Sequence, residues 1–245
     1  MQIPENAFHF EEGELLLIDK PLGWTSFDVV NHIRVAIKKN MAIPKLKVGH
    51  AGTLDPLASG LLIVCTGKMT RQIQQFQDEH KTYTGTIRLG MTTPSYDLET
   101  EADALYPWQH ITIEQIEKVA KSFEGIQQQY PPRFSAIKID GKRAFKYARK
   151  DQEVELASRE VNILHFWITA VNLPEIDFEV HCSKGTYIRS LAHDFGKALD
   201  SGACLTALRR TASGNFTVNK AWQLTALKDQ IILQGPKAKE SKDTP

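Results

Sequence analysis

Cysteine is scarce in this chain: three residues in 245, Cys65, Cys182 and Cys204, far apart and without a CxxC pair. No zinc spacing is present. Cys65 and Cys182 fall in apolar runs and read as buried thiols rather than metal ligands. A Gly-rich phosphate loop and a dinucleotide fingerprint are missing, and there is no internal repeat. Met1-Gln2-Ile3-Pro4-Glu5-Asn6 has no basic n-region and no apolar h-region, so no secretory signal is expected. No apolar run approaches the length of a membrane span. A reduced, cytoplasmic compartment follows as the expectation. An excess of one charge is missing too. The 30 Lys and Arg face 29 Asp and Glu, and a net charge of +1 does not announce a nucleic-acid partner. A local basic surface stays open, because binding responds to the field near the site rather than to the sum.

What remains is ordinary for a globular chain, 42% hydrophobic and 24% charged, and long enough for one large or two small domains with a sizeable core. Residues 15–18 read as a buried strand running into an Asp-Lys-Pro-Leu-Gly turn. Thr25 and Asp28 form a capping box. Phe27, Val30, Ile33 and Ile37 then predict a helix over 26–38. Lys38-Lys39 and Lys45-x-Lys47 flank the loop that follows. A strand is expected at 82–90, with Tyr83, Gly85, Ile87 and Leu89 on one face. Residues 91–103 are polar and acidic. Thr112 and Gln115 form a second capping box, opening a helix through Ile113, Ile116, Val119 and Phe123 that Gly125 can stop. Ile176, Phe178, Val180 and Cys182 alternate as a half-buried strand. Gly185-Thr186 opens a helix with Ile188, Leu191, Phe195 and Leu199 as its stripe. Residues 214–232 form a last polar–apolar segment, and 233–245 read as a disordered tail. Between these elements, 126–152 stands apart. Tyr130-Pro131-Pro132-Arg133 breaks regular structure, and 141–150 is basic with Phe145 and Tyr147 interleaved. The stretch reads as an excursion able to grip a polyanion, or as a solvated helix whose aromatics pack back on the core.

The most informative feature is Gly49-His50-Ala51-Gly52-Thr53-Leu54-Asp55-Pro56-Leu57-Ala58-Ser59-Gly60. One carboxylate sits in a turn-rich segment just before the apolar run 61–65. Pro56 stiffens the turn and biases Asp55 toward an extended conformation. Held this way, Asp55 is a candidate nucleophile or general base. On composition alone the plainer reading is favoured, a common Asp-Pro turn opener or an N-cap ahead of Pro at N1. Only four residues separate Pro56 from the strand, too few for a lasting helix, which leaves a shaped loop.

Four segments then occur in a telling order: Leu17-Ile18-Asp19-Lys20-Pro21, the Gly49–Pro56 stretch, Lys81-Thr82-Tyr83, and Cys182-Ser183-Lys184-Gly185-Thr186-Tyr187-Ile188-Arg189. Together they resemble the TruB family of tRNA pseudouridine synthases, over about residues 14–227. The resemblance implies an α/β (α+β) fold around a mixed, largely antiparallel sheet with flanking helices and an RNA cleft. It implies a basic thumb on 126–152, within a catalytic domain spanning 1–232. It places the catalytic aspartate on Asp55, the histidine that shapes the RNA loop on His50, and the tyrosine stacking on the target base on Tyr83. It puts a second tyrosine on Tyr187, and on Arg189 the arginine that pairs with the catalytic carboxylate. A substrate-contacting leucine falls on Leu208 and the aspartate of the polar loop on Asp97. Lys20 is a further candidate, for the site or for phosphate, and equally a plain turn lysine.

The implied activity is isomerisation of uridine 55 in the T loop of tRNA. It breaks the N1–C1′ bond and rejoins the ribose at C5, is redox-neutral, and requires neither metal nor organic cofactor. The base must leave its stack, at a cost of a few kcal/mol, of which a platform such as Tyr83 can offset roughly 1–3 kcal/mol. Tyr83 is otherwise a core tyrosine beside Ile87 and Leu89. A carboxylate that attacks carbon must be ionised. Burial favours the protonated form, and a facing guanidinium opposes that. Arg189 fits this role, being a cation near a helix start where the dipole does not favour it; it is otherwise a surface arginine. His50 reads as an RNA-loop contact rather than a base. The extra C-terminal RNA-binding domain of many relatives is not found, so weaker grip on distant parts of tRNA is expected, with acidic residues such as Glu99 and Glu101 turned from the RNA. A monomer without an obligate protein partner is expected. Two alternatives stay open: a synthase acting on another RNA, and a catalytically silent RNA-binding or folding protein. An aspartate-nucleophile hydrolase acting on a small substrate would need a metal-binding carboxylate cluster or an activating base beside the nucleophile, and neither is found.

Overall fold

In the computed structural model, which describes residues 7–235 apart from 136, 140, 149, 151, 153 and 155, the chain divides into two units. One joins the residues up to Glu79 with those from Arg209 on; the other is His80–Leu208. The first begins with β1 (Leu15–Lys20), α1 (Ser26–Asn40), β2 (Val48–Ala51) and β3 (Ala58–Thr66), followed by a 3₁₀ turn (Gly67–Gln72) and α2 (Ile73–Asp78). Strands β1 and β2 are both antiparallel to β3, with Leu16 and His50 each opposite Val64. This makes β3 central, and both of its faces are covered. Leu62 and Val64 pack with Leu16, Ile18, Val30, Ile33 and Ile37, while Ile63 and Cys65 pack with Ala51, Ile73 and Phe76. A strand buried on both faces has no polar alternation, which is why 61–65 reads as one apolar run.

Helix α1 starts at the expected capping box: Asp28 N–H donates to Thr25 Oγ1 (3.0 Å) and Thr25 N–H to Asp28 Oδ2 (2.9 Å). It runs two residues beyond the expected end. Phe27, placed by the sequence in the apolar stripe, is instead 64% exposed. The inward position of the first turn belongs to Ser26, whose hydroxyl bonds the backbone of Leu54.

The second unit contains β4 (Lys81–Leu89), the small pair β5 (Met91–Thr92) and β6 (Ala104–Leu105), α3 (Ile113–Ser122), β7 (Gly125–Gln129), the hairpin β8 (Lys138–Ile139) and β9 (Lys142–Arg143), α4 (Ala144–Ala148), β10 (Arg159–Asn172), β11 (Glu175–Cys182) and α5 (Ile188–Ala198). β12 (Ala203–Ser213) then carries the chain back to the first unit. Within the second unit the strand order is β12, β4, β11, β10, β7. Tyr83 lies opposite Val180 and Gly85 opposite Phe178. One face is apolar: Ile87, Ile176, Phe178 and Val180 are buried, and Phe166 meets Phe178 and Phe195 edge-on at 5.7 and 5.5 Å. The other face carries Thr84, Thr86, Asp177 and Glu179 and is half-exposed, the pattern of an antiparallel sheet covered on one side. The start of the expected excursion, 126–129, belongs to β7 and pairs with β10. Residues 136, 140, 149 and 151 and the side chain of Phe145 lie outside the described part, as does 236–245 of the expected tail.

The first unit closes with β13 (Phe216–Thr217) and α6 (Leu224–Leu233), whose Leu227 and Ile231 join the core under α1. No described helix is long and apolar enough to cross a membrane.

Candidate active site

Asp55 occupies the first position of a tight turn, with Pro56 second: Ala58 N–H donates to Asp55 O at 3.1 Å, and this Asp-Pro order suits the common turn types. The turn is tied down on every side within the first unit. Leu54 exchanges two hydrogen bonds with the Ser26 hydroxyl, at 2.8 and 3.0 Å. Gly23 N–H donates to Pro56 O at 2.8 Å. The guanidinium of Arg210, 1% exposed, donates to Gly52 O (3.1 Å) and Leu61 O (2.6 Å). Gly60 stands so close to Arg210 that a Cβ there would lie 2.3 Å from its carbonyl oxygen, and its φ of +100° is closed to other residues. The helix-cap reading does not describe the fold; the loop reading does, but only for 55–57, because β3 begins at Ala58 rather than at Leu61.

Lys20 is not a surface lysine. Its residue is 0% exposed, and Nζ donates to Trp24 O (2.6 Å) and Pro21 O (3.0 Å), which leaves it poorly placed to meet phosphate. Burial lowers its pKa to about 8, and the negative charge of Asp55 opposes that shift. The unfolded chain holds this proton up to about 10.5, so between pH 8 and 10.5 the unfolded state binds more protons and stability rises with pH. Urea midpoints measured across that window are expected to rise in the wild type relative to Lys20→Met, which has no such group. Parallel curves would refute the buried-ammonium account.

His50 lies in strand β2 rather than in a turn. Burial, then the charge of Arg210, lowers its pKa, and its buried Nδ1 has no hydrogen-bond partner. A hydrogen bond with the Gly52 backbone opposes the fall, and the imidazole is neutral at pH 7.

In the second unit Arg189, in the first turn of α5, is 4% exposed. Nη1 donates to Ser95 O (3.0 Å) and Nη2 to Phe134 O (2.9 Å). Nε lies 3.6 Å from Asp97 Oδ2, an ion pair rather than a hydrogen bond. Asp97 is equally buried, and its other oxygen accepts from Glu99 N–H at 3.0 Å. The surface-arginine reading of Arg189 is thereby overturned. The Asp97 loop turns through Tyr96, at φ +63°, uncommon for a bulky residue. Its ring stacks on His193 at 3.9 Å. Burial holds His193 down at about pH 4, so the stack is with a neutral ring at physiological pH. Tyr187 is fixed by Gln129, whose amide accepts from Tyr187 N–H (2.8 Å) and donates to its carbonyl (3.0 Å). The Arg159 guanidinium sits 4.1 Å over its ring. Tyr83 is 8% exposed on the core face of β4. Leu208 is half-buried at the end of this unit.

The structure thus joins Lys20 to the Asp55 turn and Arg189 to Asp97. Sequence reasoning missed Arg210 and Gln129, single polar residues in strands with no local signal. Among the described residues no group of three or more His, Cys, Asp or Glu is placed to hold a metal ion, and Cys65, Cys182 and Cys204 are buried free thiols.

Comparison with known proteins gives a consistent picture. Residues 38–188 match the family model of the TruB family pseudouridylate synthase N-terminal domain, and 189–242 that of the tRNA pseudouridylate synthase B C-terminal domain. A tRNA pseudouridine synthase B of Bacteroides fragilis is 58% identical over 212 residues, covering 86% of this chain and 91% of that protein. Its counterpart in Flavobacterium johnsoniae is 52% identical over 221 residues, covering 90% and 96%. One chain of a solved Cbf5–Nop10–Gar1 complex superposes with a TM-score of 0.68 at 31% identity. The match covers 90% of this chain but only 55% of that one.

Proposed function

We propose that this chain, which belongs to the TruB family of pseudouridylate synthases, uses Asp55 as the nucleophile that converts uridine 55 of tRNA to pseudouridine. It is an isomerase of the tRNA pseudouridine synthase class. The N1–C1′ bond breaks, the base turns, C5 bonds to C1′, C5 gives up its proton and N1 takes one up. The observation that carries the assignment is the turn itself. Asp55 sits on a loop braced by Ser26, Gly23 and Arg210, close enough to the buried Lys20 for its charge to act on that lysine, and a nucleophile needs such fixed aim.

Other roles follow the family pattern. Tyr83 stacks on the extruded base, His50 and Tyr187 shape the bound loop, and Leu208 touches substrate. Arg189 supplies the guanidinium that keeps the catalytic carboxylate ionised, with Asp97 holding its fork in place. The region 126–152 acts as a thumb on the RNA, within a catalytic domain spanning 1–232. The enzyme works in the cytoplasm, as a monomer on the T arm. The test is an unmodified tRNA transcript incubated with the protein and no added metal, with pseudouridine mapped by position. Product confined to position 55 is the expected result; product elsewhere would give the chain a different RNA target, and none at all would leave it a binding protein.

A further inference from the structure

Two residues packed beside the Arg189–Asp97 pair stand outside the segments that carry the family resemblance: Tyr96, in the loop after β5, and His193, in α5. Arg189 and His193 are i and i+4 in that helix, and so neighbours on one of its faces. The loop meets this face at consecutive residues. Ser95 O accepts from Arg189 Nη1 at 3.0 Å. The Tyr96 ring lies on the His193 ring, with centroids 3.9 Å apart and planes 13° apart. Asp97 Oδ2 then stands 3.6 Å from Arg189 Nε. Two of the groups that hold the guanidinium thus flank the one residue whose ring is stacked one helical turn away.

The backbone is bent to make this possible. In an extended segment the side chain at 96 would point away from the side its neighbours use. The left-handed φ of +63° at Tyr96 brings the ring to the same helix as Ser95 O and Asp97. Strain of that kind persists only where the surroundings hold it. Tyr96 N–H donates to Thr93 O (3.1 Å), and Tyr96 O accepts from Leu205 N–H (2.9 Å). The hydroxyls of Thr93 and Ser95 both donate to Asp97 O, at 2.6 and 3.1 Å. His193 contributes a ring rather than a charge or a hydrogen bond at Nδ1. Burial, then the charge of Lys197, lowers its pKa to about 4, and its buried Nδ1 has no hydrogen-bond partner. What it offers Tyr96 is a flat, neutral face, and stacked rings fix geometry beyond what burial alone provides.

We propose that Tyr96 and His193 are positioning residues for the isomerisation: their stacked rings dock the Asp97 loop on α5 and hold the Arg189 guanidinium in the orientation its catalytic role requires. The inference rests on the reading of Arg189 as the guanidinium that serves the catalytic carboxylate. An arginine side chain is long and rotamer-rich, and its planar fork is useful only when each arm has a fixed partner. Ser95 O and Asp97 are such partners only while the loop keeps its place. Release of the stack frees the loop to shift, and the fork shifts with it. Neither ring need touch RNA for this, so the effect falls on the rate of the bound complex and not on its affinity.

The experiment measures the single-turnover rate of pseudouridine formation at saturating enzyme, and the Kd, for an unmodified tRNA transcript with each folded full-length variant. His193→Gln keeps a good helix former of similar bulk and loses the ring. Tyr96→Asn keeps a residue that tolerates the left-handed backbone and loses the ring. Each is expected to slow turnover by about 10- to 100-fold, since misplacement of about 1 Å costs on the order of 100-fold, while Kd stays within about 3-fold of the wild type. His193→Phe and Tyr96→Phe keep the stack and are expected to return the rate to within about 3-fold of the wild type. In an Arg189→Lys background, where the fork is already lost, His193→Gln is expected to slow turnover by less than about 3-fold further, because residues that act through one group do not add. A loss below about 10-fold in His193→Gln, or phenylalanine variants as slow as the polar ones, would overturn the inference and leave the activity standing. So would a Kd that rises as much as the rate falls, or a loss in the Arg189→Lys background as large as in the wild type, because the stack would then serve binding or the fold. A wild-type chain that makes no pseudouridine in the same tubes would sink the functional reading, and this inference with it.

Discussion

Asp55→Asn is expected to lower pseudouridine formation by at least about 10⁴-fold, since a nucleophile acts as part of a unit and its loss removes most of the unit's effect. Binding of the same tRNA should change by no more than a few-fold. Affinity comes from cations on phosphates, and removing a negative charge does not weaken the hold on a polyanion. The substitution is nearly isosteric, and the turn is held by the backbone N–H groups of Ala58 and Gly23 and, at Gly52, by the Arg210 guanidinium, none of which bonds depends on the carboxylate. Asp55→Glu separates position from charge. It keeps the carboxylate but carries it one methylene further, and misplacement of about 1 Å costs on the order of 100-fold. The pair of variants measured under single-turnover conditions distinguishes a nucleophile from a structural acid. If Asp55→Asn retains a tenth or more of the wild-type rate, another group performs the attack. Lys20 offers a second readout that does not depend on RNA. The charge of Asp55 opposes the fall in the Lys20 pKa, so Asp55→Asn should move the alkaline rise in stability to lower pH.

How far the site was legible in the sequence can be traced residue by residue. The Asp55 turn was readable because its determinants are local: Pro56 at the second position, and too short a gap before β3 for a helix. Both capping boxes formed as written, since each is closed within four residues. Strand β11 alternates over its whole length and was equally plain. Strands β10 and β12 were not anticipated. In β10 the register shifts between Ile163 and His165 and again between Ile168 and Ala170. Each irregularity breaks the period of two, and Trp167, large but exposed, adds a false apolar signal. In β12 the inward position at 210 is an arginine, which reads as surface until its partners are known. Those partners, Gly52 and Leu61, lie about 150 residues away in sequence. Gln129 reaches Tyr187 across 58 residues. Local pattern carries the reactive group and the helices that frame it. The bracing carbonyls and amides are a product of topology and become visible only in the fold.

Arg189→Met tests the second half of the site, with an expected loss of about 3–5 kcal/mol of stability, because it leaves Asp97 as a buried carboxylate without its cation. For a chain of this length each kcal/mol shifts Tm by roughly 2–4 °C, so a drop on the order of 10 °C is expected, well beyond the error of a thermal melt. Activity should fall as well, but activity alone cannot separate a catalytic guanidinium from one that merely holds the fold. The double variant Arg189→Met, Asp97→Asn makes the separation. Removing the orphaned charge takes away the main penalty, so stability should recover by half or more, while the carbonyls of Ser95 and Phe134 still lack their donors. If Arg189 acts on the reacting carboxylate, the double variant regains stability and remains at least about 100-fold slow, the scale of a lost electrostatic contact in an active site. If Arg189 acts only through Asp97 and the loop at Tyr96, activity returns along with stability. Arg189→Lys refines the result: it keeps a positive charge but cannot span Ser95 O, Phe134 O and Asp97 at once, since an ammonium is a point charge where a guanidinium is a planar fork. Slow turnover in a folded Arg189→Lys enzyme would assign the effect to the fork's geometry, and full turnover would show that charge alone suffices.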